Sequence, residues 1–185
     1  MRLHSFPTRR SSDLLDIALA ALLVAALAAA IVFFLQGRGE KALADARADA
    51  QQAACANASA WTNFDFAKFD DWRNSVLGGA TGEWRDEFDK SSNGVRELYT
   101  KGQLKSASID LQCAVKSGDE QHAEVVVGIG QTVASVVTAG NTARFFVVYT
   151  MDKIDGRWLA SKLYAPGANG AGQGPAPAPA PEPPK

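Results

Sequence analysis

Lys105–Val133 reads KSASIDLQCAVKSGDEQHAEVVVGIGQTV, and the sequence period changes to two here. Ala107, Ile109, Leu111, Cys113 and Val115 alternate with Ser108, Asp110, Gln112 and Ala114. Gly118-Asp119 marks a turn, after which Ala123, Val125, Val127, Ile129, Gln131 and Val133 alternate with His122, Glu124, Val126 and Gly128. Successive side chains of a strand point to opposite faces, so the pattern predicts two half-buried strands joined by a turn. Gly140-Asn141 predicts the next break. Arg144–Met151, RFFVVYTM, is apolar enough to predict a strand buried on both sides. Asp155-Gly156 is the strongest hairpin signal in the chain, and Trp158–Tyr164 closes a set of four antiparallel strands.

Upstream of Leu104 the period is helical. Between Glu40 and Ala60, Leu43, Ala46, Ala50, Ala53, Asn57 and Trp61 recur at spacings of three and four, a thin stripe that is apolar except at Asn57. Such a helix needs a partner to stay folded. Phe64, Phe66 and Phe69 among Asp65, Asp70 and Asp71 predict a bend. A short helix over about Asp70–Leu77 follows, stopped by Gly78-Gly79. Thr81 suits the N-cap of a third helix, with Glu83 favourable in its first turn. Trp84, Phe88, Ser91, Val95 and Leu98 or Tyr99 share one of its faces, and Gly102 ends it. Helices followed by strands predict an α+β fold, three helices packed on one face of a curved four-stranded antiparallel sheet. The expected core is Trp84, Phe88, Leu98, Ile109, Leu111, Val125, Val127 and Phe146.

Ile17–Leu35, IALAALLVAALAAAIVFFL, has 19 residues without a charge or proline. As a helix it spans about 28 Å, close to the hydrocarbon core of a bilayer. Its length, and the Phe33-Phe34-Leu35 end in place of a small-residue cleavage site, favour a retained membrane helix over a cleaved signal peptide. The residues before it admit two readings, the basic n-region of a signal peptide or signal anchor, or a foreign segment. His4–Asp13 can be written in codons as CAC TCT TTC CCT ACA CGA CGC TCT TCC GAT, and a following CT gives Leu14 whatever the third base. That string matches the end of a common short-read sequencing adapter, so residues 1–14 are read as a sequence artefact and set aside. The whole chain has 19 Lys+Arg and 20 Asp+Glu; without Arg2, Arg9, Arg10 and Asp13 the count is 16 against 19, a net charge of −3. No basic excess points to nucleic acid. Orientation does not follow from charge, because Arg9 and Arg10 are set aside while Arg38 and Lys41 after the helix argue the opposite way. The organisation expected is an artefact over 1–14, a transmembrane helix over 15–36, one domain over 37–166 and a disordered Gly/Ala/Pro-rich tail over 167–185. That tail, GANGAGQGPAPAPAPEPPK, suits a flexible, then polyproline-like, spacer.

Chemistry-bearing residues are sparse. His122 falls on the polar face of a strand beside Glu124, with no nucleophile near it in sequence. Two cysteines, Cys55 and Cys113, are too few for a zinc site. Gly128-Ile129-Gly130 sits inside a strand pattern with no helix after it, so it is no dinucleotide loop. Asp65, Asp70 and Asp71 suit turns and caps better than a pocket. No catalytic residue, cofactor or metal is expected.

Val76–Phe88, VLGGATGEWRDEF, resembles the VLxGATGxFRxxF signature of the Mce-associated membrane proteins of mycobacteria and related actinobacteria, with Trp84 at the usual Phe. Asn63–Asp70 (NFDFAKFD), Gln131–Val133 (QTV) and Asp155–Ser161 (DGRWLAS) are similar to that family as well, so the resemblance covers about residues 15–166. It implies one membrane helix, an outward-facing domain of NTF2-like or VirB8-like fold, and an accessory role beside the subunits of an Mce lipid-import system. It carries over no catalytic residues. Two alternatives stand beside it: a VirB8-like assembly component of an envelope secretion machine, and an NTF2-like domain binding a small ligand in its cone. The expected partners are therefore Mce complex subunits and the lipid bilayer, with no nucleic acid.

Cys55 and Cys113 both follow the membrane helix, so they share a compartment. Outside the cytoplasm a disulfide between them can persist and inside it would be reduced; the alternative is two independent buried thiols acting as small apolar residues. Chain-entropy arithmetic gives it about 4 kcal/mol. The pairing requires the first soluble helix to pack on two sides, because Cys55 lies nearly opposite the Ala stripe. Ala44, Ala48 and Ser59 on that second face are small enough to permit it.

Overall fold

One helix, α1 (Ser12–Thr62), runs without a break from the apolar block into the Ala-rich stretch, where sequence periodicity had suggested two separate helices. The computed structural model describes residues 12–166. Most of the adapter-like segment and the whole Gly/Ala/Pro tail, 167–185, lie outside the described residues. The chain divides into two units between Ala42 and Leu43. In the first, every side chain from Ile17 to Ala42 is exposed, including Leu22, Phe33 and Phe34. The apolar part of this helix is long enough to cross a membrane, and none of it is buried against the rest of the chain.

The second unit begins with the last turns of α1. Its buried row is Ala46, Ala50, Ala54 and Ala58, with Asn57 beside it. The spacing is a strict four, so the row shifts from Ala53 to Ala54 relative to the sequence reading. Alanine supplies helix propensity and lets the helix axis approach its neighbours closely. After a two-residue strand β1 (Phe64–Asp65) and a single 3₁₀ turn (Phe66–Lys68) come α2 (Phe69–Gly78) and α3 (Gly82–Lys101). The Gly79 N–H donates to the Val76 carbonyl at the end of α2, and the Gly102 N–H donates to the Leu98 carbonyl at the end of α3. Thr81 occupies the N-cap position of α3 with extended backbone, but its side chain makes no capping bond.

The remaining strands are β2 (Lys105–Gly118), β3 (His122–Ser135), β4 (Thr138–Ile154) and β5 (Arg157–Tyr164). The sheet has five strands, not four, in the order β1-β2-β3-β4-β5, every neighbour antiparallel. β1 escaped the sequence reading because two residues cannot show a period. The β4–β5 turn is at Asp155-Gly156, both with positive φ, as predicted. The β3–β4 turn is not at Gly140-Asn141 but at Val136-Val137. Gly140 lies inside β4, where a register shift opposite Val133/Ser135 and a φ of +140° make it a bulge residue.

Ala46, Ala50, Ala54, Val76, Trp84, Phe88, Val125, Val127, Ile129, Val147, Tyr149, Met151 and Trp158 belong to one buried cluster between the helices and the inner sheet face. Leu111 is half-buried against it. Three expected core residues lie outside. Ile109 is 53% exposed, because it is the extra residue of a bulge between Ser108 and Asp110; one inserted residue reverses the face of everything before it. Phe146 is 63% exposed, because it pairs with Gly128 on the outer face while Phe145 and Val147 point inward. Leu98 is 56% exposed; the buried row of α3 also advances by fours, through Ser92 rather than Ser91, and brings Tyr99 inward instead.

Candidate functional site

The two cysteines singled out by sequence meet at the seam between α1 and the sheet. Cys55 and Cys113 are joined by a disulfide, with Cα atoms 6.1 Å apart and a sequence separation of 58. Cys113 lies on the inward face of β2 next to Leu111 and Val115, in the register after the bulge. Cys55 belongs to a helical row with Arg47 and Gln51, one residue along from the Ala row. The second packing face of α1 is therefore 47/51/55, not 44/48: Ala44 and Ala48 are exposed. Arg47 Nη2 donates to the Gly118 carbonyl at 3.0 Å, and Gln51 Nε2 donates to the Cys113 carbonyl at 2.8 Å. Farther along, Asn63 Oδ1 accepts from the Ser108 N–H at 3.0 Å, and Ser106 Oγ donates to the Thr62 carbonyl at 2.6 Å. Covalent and polar bonds thus fasten one side of the helix to β2 along much of the strand.

The other side carries the single polar interruption of the stripe. Asn57 is buried; its Nδ2 donates to the Val76 carbonyl at 3.1 Å and its Oδ1 accepts from Trp84 Nε1 at 3.3 Å. One amide therefore satisfies the end of α2 and the indole of α3 together. A Cβ on Gly79 would stand 2.7 Å from Asn57 Nδ2, so this glycine is required for close approach. Ala80 forms a parallel bridge with Ala160, the Thr81 N–H donates to the Ala160 carbonyl at 2.7 Å, and the Ala160 N–H donates to the Gly79 carbonyl at 2.9 Å. Gly82 then takes a φ of +52°. GGATG is thus a lock binding the α2–α3 junction to β5.

The acidic and titratable groups are dispersed. Asp65 caps the 3₁₀ turn: its carboxylate accepts the Ala67 N–H at 3.0 Å and pairs with Lys105, and these bonds lower its pKa. Asp70 pairs with Arg96, which lowers its pKa; the Arg96 guanidinium lies 4.2 Å from the centre of the Phe69 ring. Asp71 is exposed and the three do not gather into a pocket. His122 Nδ1 lies 2.9 Å from Asp152 on the exposed face, and that hydrogen bond raises the imidazole pKa. Glu124 accepts from Lys116 and from Tyr164 Oη, which hold its pKa low. Gly128 and Gly130 have strand neighbours on both sides and no helix following. Among the described residues no group of three His, Cys, Asp or Glu side chains could hold a metal. Tyr149 Oη and Trp158 Nε1 are buried donors without a partner among the described residues, and burial pushes the tyrosine pKa up. The bonds described here fasten the end of α1 to the sheet.

No protein family's sequence profile matches the chain, and no curated protein matches it. Solved structures do. The periplasmic domain of DotI superposes with a TM-score of 0.53 at 14% identity, covering 62% of this chain and 90% of that one. An IcmL-like type IV secretion system protein of Legionella pneumophila gives 0.52 at 13% identity, over 64% of this chain and 91% of its own. The putative transfer protein TraH of a Gram-positive conjugative plasmid gives 0.51 at 11% identity, over 66% and 96%. The domain has an NTF2-like, VirB8-like fold. The long apolar helix precedes it in this chain. Asn57 was visible in the sequence as an interruption; that it serves Val76 and Trp84 was not, because both partners lie on other helices.

Proposed function

We propose that this chain is a single-pass, membrane-anchored and non-catalytic assembly subunit of an envelope-spanning transport machine, with its NTF2-like domain outside the cytoplasm. The observation that carries the reading is the pairing of an apolar helical stretch, exposed from Ile17 to Ala42, with a domain shaped like the periplasmic domain of DotI. The Cys55–Cys113 bond supports the compartment, since such bridges persist where thiols are not kept reduced. The IcmL-like neighbour is described as a type IV secretion system protein and TraH as a transfer protein, which supports a VirB8-like component of a secretion machine.

A second reading, an accessory subunit of an Mce-type lipid importer, draws on a specific observation. Val76–Phe88 and Asp155–Ser161, the two blocks most similar to the Mce-associated family, are bonded to each other through Gly79, Thr81 and Ala160. They form one structural unit rather than two separate matches. Both machines would use the same fold. Crosslinking the full chain in native membranes, then purifying it and identifying bound proteins by mass spectrometry, separates them. Secretion-channel subunits are expected; Mce subunits would replace the first reading by the second, and neither class would overturn both. Protease access to the domain in intact spheroplasts checks the compartment.

A further inference from the structure

β4 has 17 residues and β5 only 8, so the two strands cannot match along their lengths. β5 pairs with β4 from Ile154 back to Val148, where Tyr164 is the last partner. Two residues later Pro166, which has no N–H to donate, stands in the way of further pairing. From Asn141 to Phe145 β4 is held by β3 on one side only, in unbroken register. Among the described residues no backbone hydrogen bond reaches its other side. Asn141, Thr142, Ala143 and Arg144 are exposed. A strand edge of this kind offers a row of unpaired N–H and C=O groups to another strand, and natural edges are usually blunted by charge, proline or a bulge. Here the bulge at Gly140 closes one end, while Arg144 is the only charge in the open stretch.

We infer that the open edge of β4 pairs antiparallel with the same edge of a second copy of this chain, with the two-fold axis at Ala143. The edge itself selects the occupant and the register. Residues directly opposite one another must lie on the same sheet face. Of the symmetric registers, the one centred on Arg144 sets two guanidinium groups against each other. The one centred on Ala143 sets Arg144 against Thr142 of the other copy, and Asn141 against Phe145. It also brings Phe146 toward Gly140 of the other copy. Phe146 already covers a glycine within its own sheet, since a Cβ on Gly128 would stand 3.0 Å from its ring. The chain's own tail is a poor occupant, because its prolines cannot donate and its glycines disfavour strand. Anchoring in one membrane raises the concentration of copies seen by each edge, so a short pairing suffices. The inference holds for either transport machine.

The test uses the full chain in native membranes. Ala143→Cys, under mild oxidation, is expected to give a disulfide-linked homodimer at several times the yield of Lys90→Cys on the exposed side of α3. Two differently tagged copies are then co-expressed. Ala143→Lys with Ala143→Lys is expected to co-purify several-fold less than wild type, as is Ala143→Glu with itself, and Lys with Glu is expected to restore co-purification. The inference is overturned if Ala143→Cys crosslinks no better than Lys90→Cys, or if the charge variants co-purify like wild type. It is equally overturned if Ala143→Cys crosslinks to a different protein, or links copies only after residues 167–185 are deleted.

Discussion

The inner and outer faces of the sheet are built from the same strands by different rules. On the inner face Val125, Val127, Ile129, Val147, Tyr149 and Met151 are closed over by Trp84, Phe88 and the Ala row of α1. On the outer face the neighbouring positions are Gly128 and Gly130, roofed by Phe146 and Ile109, and both roofing residues keep more than half their surface in solvent. Burial alone therefore does not sort apolar residues in this chain. Phe146 and Ile109 go outward, each beside a glycine on the next strand whose bare backbone it covers.

If that contrast is right, equal truncations on the two faces have unequal costs. Trp84→Ala removes a buried indole and strips Asn57 of a partner. It should cost about 3–5 kcal/mol in urea unfolding, enough to threaten a domain of this size. A loss below about 1 kcal/mol would erase the distinction between the faces. Removing the Cys55–Cys113 bond, by reduction or with Cys113→Ser, should cost about 2–4 kcal/mol, seen as a lower melting temperature under reductant. An unchanged melt would mean that the polar bonds of Arg47 and Gln51 hold α1 by themselves. Gly79→Ala should cost about 1–3 kcal/mol, because its Cβ meets Asn57 Nδ2 in a closed interior. Asn57→Ala in the same background should recover part of that clash, and simple additivity of the two would contradict it. On the outer face Phe146→Ala should cost below about 1 kcal/mol and Gly128→Ala about 0.5 kcal/mol or less, since the exposed ring can swing aside.

The smallest effect is electrostatic. His122 has its pKa raised above 6.5 by the hydrogen bond to Asp152. Its contribution is full below the unfolded value near 6.5 and fades as pH rises through the higher folded value. The melting temperature should fall slightly across that window in the wild type and not in His122→Gln. Identical pH profiles would remove His122 from the account.

The order of helices before strands was legible because the period changes sharply near Leu104, and Asp155-Gly156 was legible because its turn needs no distant partner. The cysteine pair could be proposed from compartment and register together. Other features depend on contacts that a local pattern cannot show. The bulge at Ile109 leaves no mark in an alternating run. Gly140 looks like a strand breaker until β3 is seen to accommodate it. In RFFVVYTM both faces are apolar, so periodicity could not say that Phe146 faces out. GGATG had a visible composition, but Ala160, which explains it, lies almost at the other end of the domain.

The strand order also bears on how the domain comes to exist in time. Within β2–β5 each strand pairs with the one made just before it, so each of these hairpins can close as soon as its second strand is available, with little loop entropy to overcome. Links that escape this rule include the Cys55–Cys113 bond and the junction of Ala80 with Ala160. Both join early chain to later chain, and the second must wait for the last strand. Until β5 arrives, the α2–α3 junction has nothing to grip, and a nascent domain is a curled sheet with its helices loosely attached. Maturation is then a clasping event that follows the arrival of β5, and a chain cut before Ala160 would keep its earlier hairpins while losing its closure.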